Sequence, residues 1–296
     1  MESSAQNQSP RDSATLVVVR DGKDGLEVLL AHRNSGSRVL ANAYVFPGGK
    51  LERSDQSADL LNRLDQPVQR LHTQLSEPDS PPEHAAALYV AAIREAAEES
   101  DLLFLTTPTA VTQSAGHALC QRLRASAPFA ALLTETGATL ACSALAPWSR
   151  WITPRDALVI NRRFDTRFFL AKAPAGQGAR ADAFEINKLA WLTPKAALMR
   201  YEAREILLIP PQIISLMQLL NYTSADAALH AARTRKPPLI EPRIFHEDGR
   251  MLMCYPGDEA HPVRQPAFPA WVPTRLVVDG QHFMPIQGYA PFLHAA

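Results

Sequence analysis

Ala91-Ala92-Ile93-Arg94-Glu95-Ala96-Ala97-Glu98-Glu99 decides how the rest of this chain is read. Positions three and four apart share one face of a helix, so Glu95, Glu98 and Glu99 gather together and Arg94 lies one turn before Glu98. Leu88 or Tyr89, with Ala92, Ile93, Ala96 and Ala97, supplies an apolar side. Like charges at this spacing cost a helix about 0.2–0.5 kcal/mol per pair. A helix with a purely structural role has no reason to concentrate them. A divalent cation turns the repulsion into ligation, because hard cations take carboxylate oxygens.

Upstream, Tyr44-Val45-Phe46-Pro47-Gly48-Gly49-Lys50-Leu51-Glu52 reads as a short strand running into a glycine turn. Together the two stretches resemble the Nudix signature G-x5-E-x7-R-E-U-x-E-E-x-G-U, with U a bulky aliphatic. Gly49 takes the glycine, Asp55 the first acid, Arg94, Glu95, Glu98 and Glu99 the R-E and E-E positions, and Leu102 the last aliphatic. Three positions depart from the pattern. Asp55 replaces a glutamate and shortens the reach, Ala96 is small, and Asp101 replaces the closing glycine. That glycine caps the helix in a left-handed conformation, which Asp tolerates better than most residues.

The signature is also split. Arg94 follows Asp55 by 39 positions, where the motif has about eight. A box divided in this way is similar to the coenzyme A diphosphatase branch of the Nudix family, with its peroxisomal and bacterial members. Trp151-Ile152-Thr153-Pro154, Arg163 to Phe169, and Ile209-Pro210-Pro211 after Trp191-Leu192-Thr193-Pro194 carry the resemblance further, over residues 13 to 221. It implies an α/β fold: an α/β/α sandwich around a mixed sheet, with a helical insertion in the box and a C-terminal extension.

The composition sets outer limits. The chain has 296 residues, 46% of them hydrophobic and 20% charged, which is ordinary for a globular protein. Thirty basic and thirty acidic side chains cancel, which gives no case for nucleic acid or a membrane surface as partner. No apolar run approaches a membrane span. Met1 to Ser13 lacks the build of a signal peptide, and Leu293-His294-Ala295-Ala296 is not a peroxisomal address. A cytoplasmic location is expected. Three scattered cysteines, Cys120, Cys142 and Cys254, read as small core residues. Nine histidines show no zinc spacing.

Along the chain, residues 1–13 are expected to be disordered, 14–221 to form the Nudix domain with residues 56–82 inserted in its box, and 222–296 to pack on it as an extension. Thr15–Arg20 and Leu26–His32 read as a hairpin around Asp21 to Gly25. Ser57–Leu75, interrupted by Pro67, predicts two short helices or one kinked helix. The insertion reads as a lid, a homodimer contact, or a surface excursion packed on itself. The signature helix is placed from Glu83. A strand is expected at Leu102–Leu105, helices at Thr109–Thr136 broken near Pro128, an extended run at Leu140–Leu145, and a turn-rich aromatic segment at Trp148–Pro154. Strands follow at Arg163–Ala171 and Phe184–Leu192, then helices from Pro194, from Pro210 and at Ala225–Thr234. Beyond them the prolines predict broken extended pieces without core-sized periodicity, with a hairpin turn at Asp248-Gly249.

The resemblance implies a hydrolase that cleaves a diphosphate in a small nucleotide-derived substrate, with Mg²⁺ or Mn²⁺ as cofactor. Coenzyme A or an acyl-CoA is the best single substrate. ADP-ribose or NADH is the runner-up, and a catalytically silent nucleotide-binding module is the alternative from another class. Glu95, Glu98 and Glu99 are the expected metal ligands, with a backbone carbonyl from Gly49. Arg94 either meets phosphate or, as favoured, holds Glu98 or Asp55 in place. The general base is Glu95 or Glu185, and Glu52 is positioned to hold a metal-bound water. Arg163 and Arg167 either contact phosphate or adenine or form salt bridges. Trp148, Trp151 and Phe168 either stack on a base or, as favoured, fill the core.

Overall fold

The computed structural model describes residues 9–34, 36, 41–108, 112–155, 162–182 and 184–293. The first eight residues, most of the 34–38 loop, Thr109 and the terminal His294-Ala295-Ala296 lie outside these. The chain opens with β1 (Arg11–Gly22), earlier than the expected disordered end at residue 13, and turns tightly into β2 (Gly25–Arg33). β3 (Tyr44–Val45) and β4 (Gly48–Lys50) follow. The expected glycine turn is thus a short strand, whose Gly48 and Gly49 pair with Thr15 and Ala14 of β1.

The insertion holds α1 (Ala58–Leu61) and α2 (Val68–Leu75), with Pro67 just before α2. Next comes α3 (Pro82–Ser100), whose first residue is a proline in the place where a missing N–H costs least. β5 (Leu105–Thr106), α4 (Gln113–Arg124), α5 (Phe129–Thr136) and β6 (Thr139–Leu140) complete the first half. The break near Pro128 falls as expected. The strand placed at Leu102–Leu105 begins only at its last residue, and the extended run beyond Leu140 is a 3₁₀ turn at Cys142–Ala144.

β7 (Ala146–Ile152), β8 (Phe164–Lys172) and β9 (Ile186–Leu192) follow, then α6 (Pro194–Glu202), α7 (Pro210–Leu219), α8 (Ala225–Thr234) and β10 (Leu239–Ile240). The aromatic segment read as turn-rich is β7, antiparallel to β8. The main sheet runs β10-β7-β8-β1-β2-β3. β1 is parallel to β8 from Arg11↔Phe164 to Val19↔Lys172 and antiparallel to β2 and β4, so the sheet is mixed. On its other edge β1 forks: Ser13–Thr15 pair with β4, whereas Val19–Gly22 pair with β2.

Alternation along β1 feeds two cores. Val17 and Val19 face α6, α7 and α8, whereas Ala14, Leu16 and Val18 face α3 and the insertion. A strand buried on both faces reads as a continuous apolar run. The result is helices on both sides of a sheet. Leu60, Leu71 and Leu75 of the insertion are buried in the same core as α3, so the insertion packs on that helix and not on itself. The three cysteines are free and buried, and burial pushes the Cys254 thiol up to about 11. Among the described residues no helix is long and apolar enough to cross a membrane.

Beyond residue 240 lies more order than the prolines suggested. β11 (Arg243–Glu247), β12 (Arg250–Cys254), β13 (Arg275–Asp279) and β14 (His282–Pro285) form an antiparallel four-stranded sheet. Asp248 and Gly249, both at positive φ, make its first turn. Met253, Tyr255, Leu276, Phe283 and Tyr289 are buried in the core that contains Val17. The hydroxyl of Tyr201 on α6 accepts the Phe283 N–H at 2.7 Å. Tyr201→Phe leaves that buried N–H unpaired, a cost of about 1–3 kcal/mol. Thermal unfolding should show a single transition lowered by about 2–10 °C. An unchanged melting temperature would mean that this sheet does not share the domain's stability.

Candidate active site

The fork in β1 brings Gly48 and Gly49 against the C-terminal half of α3. Both glycines are set by close approach. A Cβ on Gly48 would lie 2.6 Å from the Ala14 carbonyl, and one on Gly49 would lie 2.2 Å from Glu95 Oε1. α3 can lie this close to the sheet because alanines form much of its buried surface, including Ala92, Ala96 and Ala97. A short 3₁₀ turn, Ser54–Gln56, places Asp55 under the helix with no exposed surface.

Arg94 links these pieces. Its Nε and Nη2 donate to the two oxygens of Asp55 at 2.8 and 3.0 Å, and Nη2 also donates to the Lys50 carbonyl at 3.0 Å. Its Nη1 donates to Glu95 Oε1 at 2.9 Å and Glu98 Oε2 at 2.8 Å. Asp55 takes a further bond from the Glu52 N–H at 2.8 Å. Burial opposes the charge on Arg94, but the Asp55 bonds and the surrounding carboxylates more than offset it and hold the guanidinium firmly protonated. Four of the five donor contacts of Arg94 thus go to carboxylates of the signature and one to the glycine strand. Glu99 points to the strand as well: its Oε2 accepts the Gly48 N–H at 2.9 Å.

These carboxylates carry more negative charge than their surroundings neutralise. Burial, with the Glu98 charge added, pushes Glu95 up to about 7 against the pull of Arg94. Burial and the Glu95 charge push Glu99 well above its ordinary value, although the Gly48 N–H and Arg33 act the other way. Glu98 is raised mainly by burial. Among the described residues, no three His, Cys, Asp or Glu side chains are arranged to hold a metal ion as they stand. The donor set nevertheless fits a hard dication. It is all oxygen, it is undercompensated, and the strand beside Glu95 has room only for a residue without a Cβ. Two surface hollows, of about 440 Å³ beside Arg275 and about 320 Å³ beside His72, are lined by none of these residues.

The other expected site residues divide. Glu185 does come near. Its Oε2 lies 3.4 Å from Arg33 Nη2, and Arg33 Nη1 lies 3.7 Å from Glu99 Oε1. Arg33 was missed in the sequence, where the strand was ended at His32. Among the described residues its Nε is buried without a hydrogen-bond partner. Glu52 contributes through its backbone to Asp55, and its side chain accepts from Ser54 Oγ at 3.5 Å. Arg163 and Arg167 are not in the site. Arg163 donates to the Thr153 carbonyl and pairs with Glu241 at 2.9 Å. Arg167 is buried and forks onto Glu77 at 3.0 and 2.7 Å, with Asp12 as a further partner. Glu77 also pairs with Arg150, which ties the end of the insertion to β7 and β8. Trp148, Trp151 and Phe168 are core residues.

Comparison with known proteins agrees with this arrangement. Residues 8–219 match the family description NUDT19 Nudix domain. The acyl-coenzyme A diphosphatase NUDT19 of Xenopus laevis is 28% identical over 80% of this chain and 71% of its own length. The Gallus gallus protein of the same name is 29% identical over 80% and 73%. A NUDIX hydrolase from Alicyclobacillus acidocaldarius, known from its crystal structure, superposes with a TM-score of 0.61 at 26% identity, over 78% of this chain and 98% of that one. With well over half its length matched, and with the signature arginine and glutamates assembled beside a glycine strand, the chain belongs to the Nudix hydrolase family, in the branch that the NUDT19 Nudix domain describes.

Proposed function

We propose that this Nudix hydrolase cleaves the diphosphate of coenzyme A or an acyl-coenzyme A, with Mg²⁺ or Mn²⁺ held by Glu95, Glu98, Glu99 and the Gly49 carbonyl. The observation that carries the reading is the crowding of three carboxylates beside Gly49, with the partly buried Glu95 and Glu98 on the Arg94 guanidinium and the buried Glu99 on the Gly48 N–H. The substrate rests on the relatives, which are named acyl-coenzyme A diphosphatases. The three departures from the signature, Asp55, Ala96 and Asp101, are what would favour a silent module. Each is accommodated: Asp55 grips Arg94, Ala96 fills the core, and Asp101 takes the left-handed cap with φ 57°.

A bound dication supplies charge neutralisation on the non-bridging phosphate oxygens and lowers the pKa of water. The chain's residues do the rest. Arg94, fixed by Asp55, sets the directions of Glu95 and Glu98. The Gly48 N–H sets that of Glu99. Glu95, whose carboxylate lies between Arg94 and the glycine strand, is the residue placed to take a proton from water. Glu185 is mostly exposed and ion-paired with Arg33, which suits it less. Arg33 places a cation at the edge of the cluster, where a diphosphate would compete with Glu99 and Glu185 for it.

Incubation with coenzyme A, acetyl-CoA, ADP-ribose and NADH should split the diphosphate fastest in a coenzyme A compound, releasing adenosine 3′,5′-bisphosphate and a phosphopantetheine, and chelator should abolish release. Preference for ADP-ribose or NADH would replace the substrate assignment, and turnover untouched by chelator would remove the metal. Glu98→Gln keeps the side-chain shape and should lower kcat/KM on the order of 100-fold.

The raised carboxylates also set a pH signature. Glu95 keeps a proton in the folded state that the unfolded chain releases from about 4.5 upward. The native state then binds more protons, so stability falls as pH rises from about 4.5 to about 7. Metal-free protein should lose melting temperature across this window, and Glu95→Gln should flatten the slope. A slope unchanged by Glu95→Gln would show that Glu95 is not the strained group.

A further inference from the structure

Asp101 stands where the Nudix signature closes its helix with glycine, and nothing described so far uses its carboxylate. Its backbone takes the left-handed conformation of that position, φ 57° and ψ 17°, which glycine adopts at less cost. Its side chain is 5% exposed. One oxygen accepts from Arg124 Nη1 at 2.7 Å and the other contacts His117 Nδ1, both partners lying on α4. The same Arg124 Nη1 donates to the backbone carbonyl of Glu98 at 2.9 Å.

The last four carbonyls of a helix have no partner within it. On α3 the Ala97 carbonyl takes the Asp101 N–H and the Ser100 carbonyl takes the Arg180 N–H. The Glu98 carbonyl takes a guanidinium from another helix, whose place Asp101 sets by a charge-assisted bond. This last turn carries Glu98 and Glu99. Helix ends open most easily, and an opening here swings both carboxylates. We propose that Asp101 and Arg124 are positioning residues that clamp the last turn of α3 and so hold Glu98 and Glu99 in the orientation that receives the divalent cation. The proposal rests on the reading of Glu98 and Glu99 as ligands. A glycine would satisfy the backbone but leave Arg124 without its carboxylate.

The test is calorimetric titration of the full chain with Mn²⁺, together with amide hydrogen exchange of residues 98–101 in the metal-free protein. Asp101→Gly relieves the backbone cost, so a cap with no further role predicts unchanged affinity and exchange. The clamp predicts instead about tenfold weaker Mn²⁺ binding for Asp101→Gly and for Arg124→Met, with faster exchange in both. The double variant should be no weaker than either alone, since the two act as a unit. Asp101→Asn, which keeps an acceptor for Arg124, should stay close to the parent protein. If Arg124→Met does not fold, Asp101→Gly carries the test alone. Wild-type affinity and exchange in Asp101→Gly, with binding lost in Glu98→Gln, would overturn the clamp and leave the ligands standing. No Mn²⁺ binding by the parent, or full binding by Glu98→Gln, would overturn both.

Discussion

The guanidinium of Arg94 is the constraint on which the site depends. It is buried, and a buried charge must be paired and fully hydrogen-bonded. Here the pairing is excessive: Asp55, Glu95 and Glu98 converge on it and the Lys50 carbonyl completes its bonds. One planar group with fixed donor directions therefore sets the relative positions of the 3₁₀ turn, the glycine strand and the signature helix. Lysine offers no such fork. Burial first, and then the surplus of carboxylates over guanidinium, raises Glu95, Glu98 and Glu99. A site in this condition is poised for a cation.

The fold serves the same end. β1 is held on one side by nine consecutive pairs to β8, and its other edge is shared between β2 and β4. The fork leaves β4 as a short strand pressed between β1 and α3, where Gly48 and Gly49 have no space for side chains. The long insertion interrupts the signature in sequence without separating it in space. It leaves after Asp55, packs Leu71 and Leu75 on α3, and returns at Glu77, which Arg150 and Arg167 secure.

What could be read in the sequence was local. The helix and the sharing of a face by its carboxylates follow from periodicity, α8 from its alanine-rich spacing, and the Asp248-Gly249 hairpin from turn chemistry. The favoured holding role of Arg94 followed from charge and spacing. What could not be read was pairing over distance. For Arg163 and Arg167 the sequence leaves a salt bridge and a phosphate contact equally open, because Glu241 and Glu77 are 78 and 90 positions away. Arg33 and Arg124 gave no signal, since their partners come from other elements. Pro147 and Pro154 bracket the aromatics of β7 and give it the look of a turn in the sequence. The C-terminal sheet was hidden by prolines that mostly fall in the connection between β12 and β13. Its strands, of four or five residues, are too short for alternation to show.

The central claim is that this carboxylate cluster is a cation site beside Gly49. Anomalous diffraction at the manganese edge, from crystals grown with Mn²⁺, tests it most directly. The account predicts a peak about 2.1 Å from carboxylate oxygens of Glu98 and Glu99 and next to the Gly49 carbonyl. A peak only elsewhere, or none while Arg94 keeps Glu95 and Glu98 paired, would contradict it.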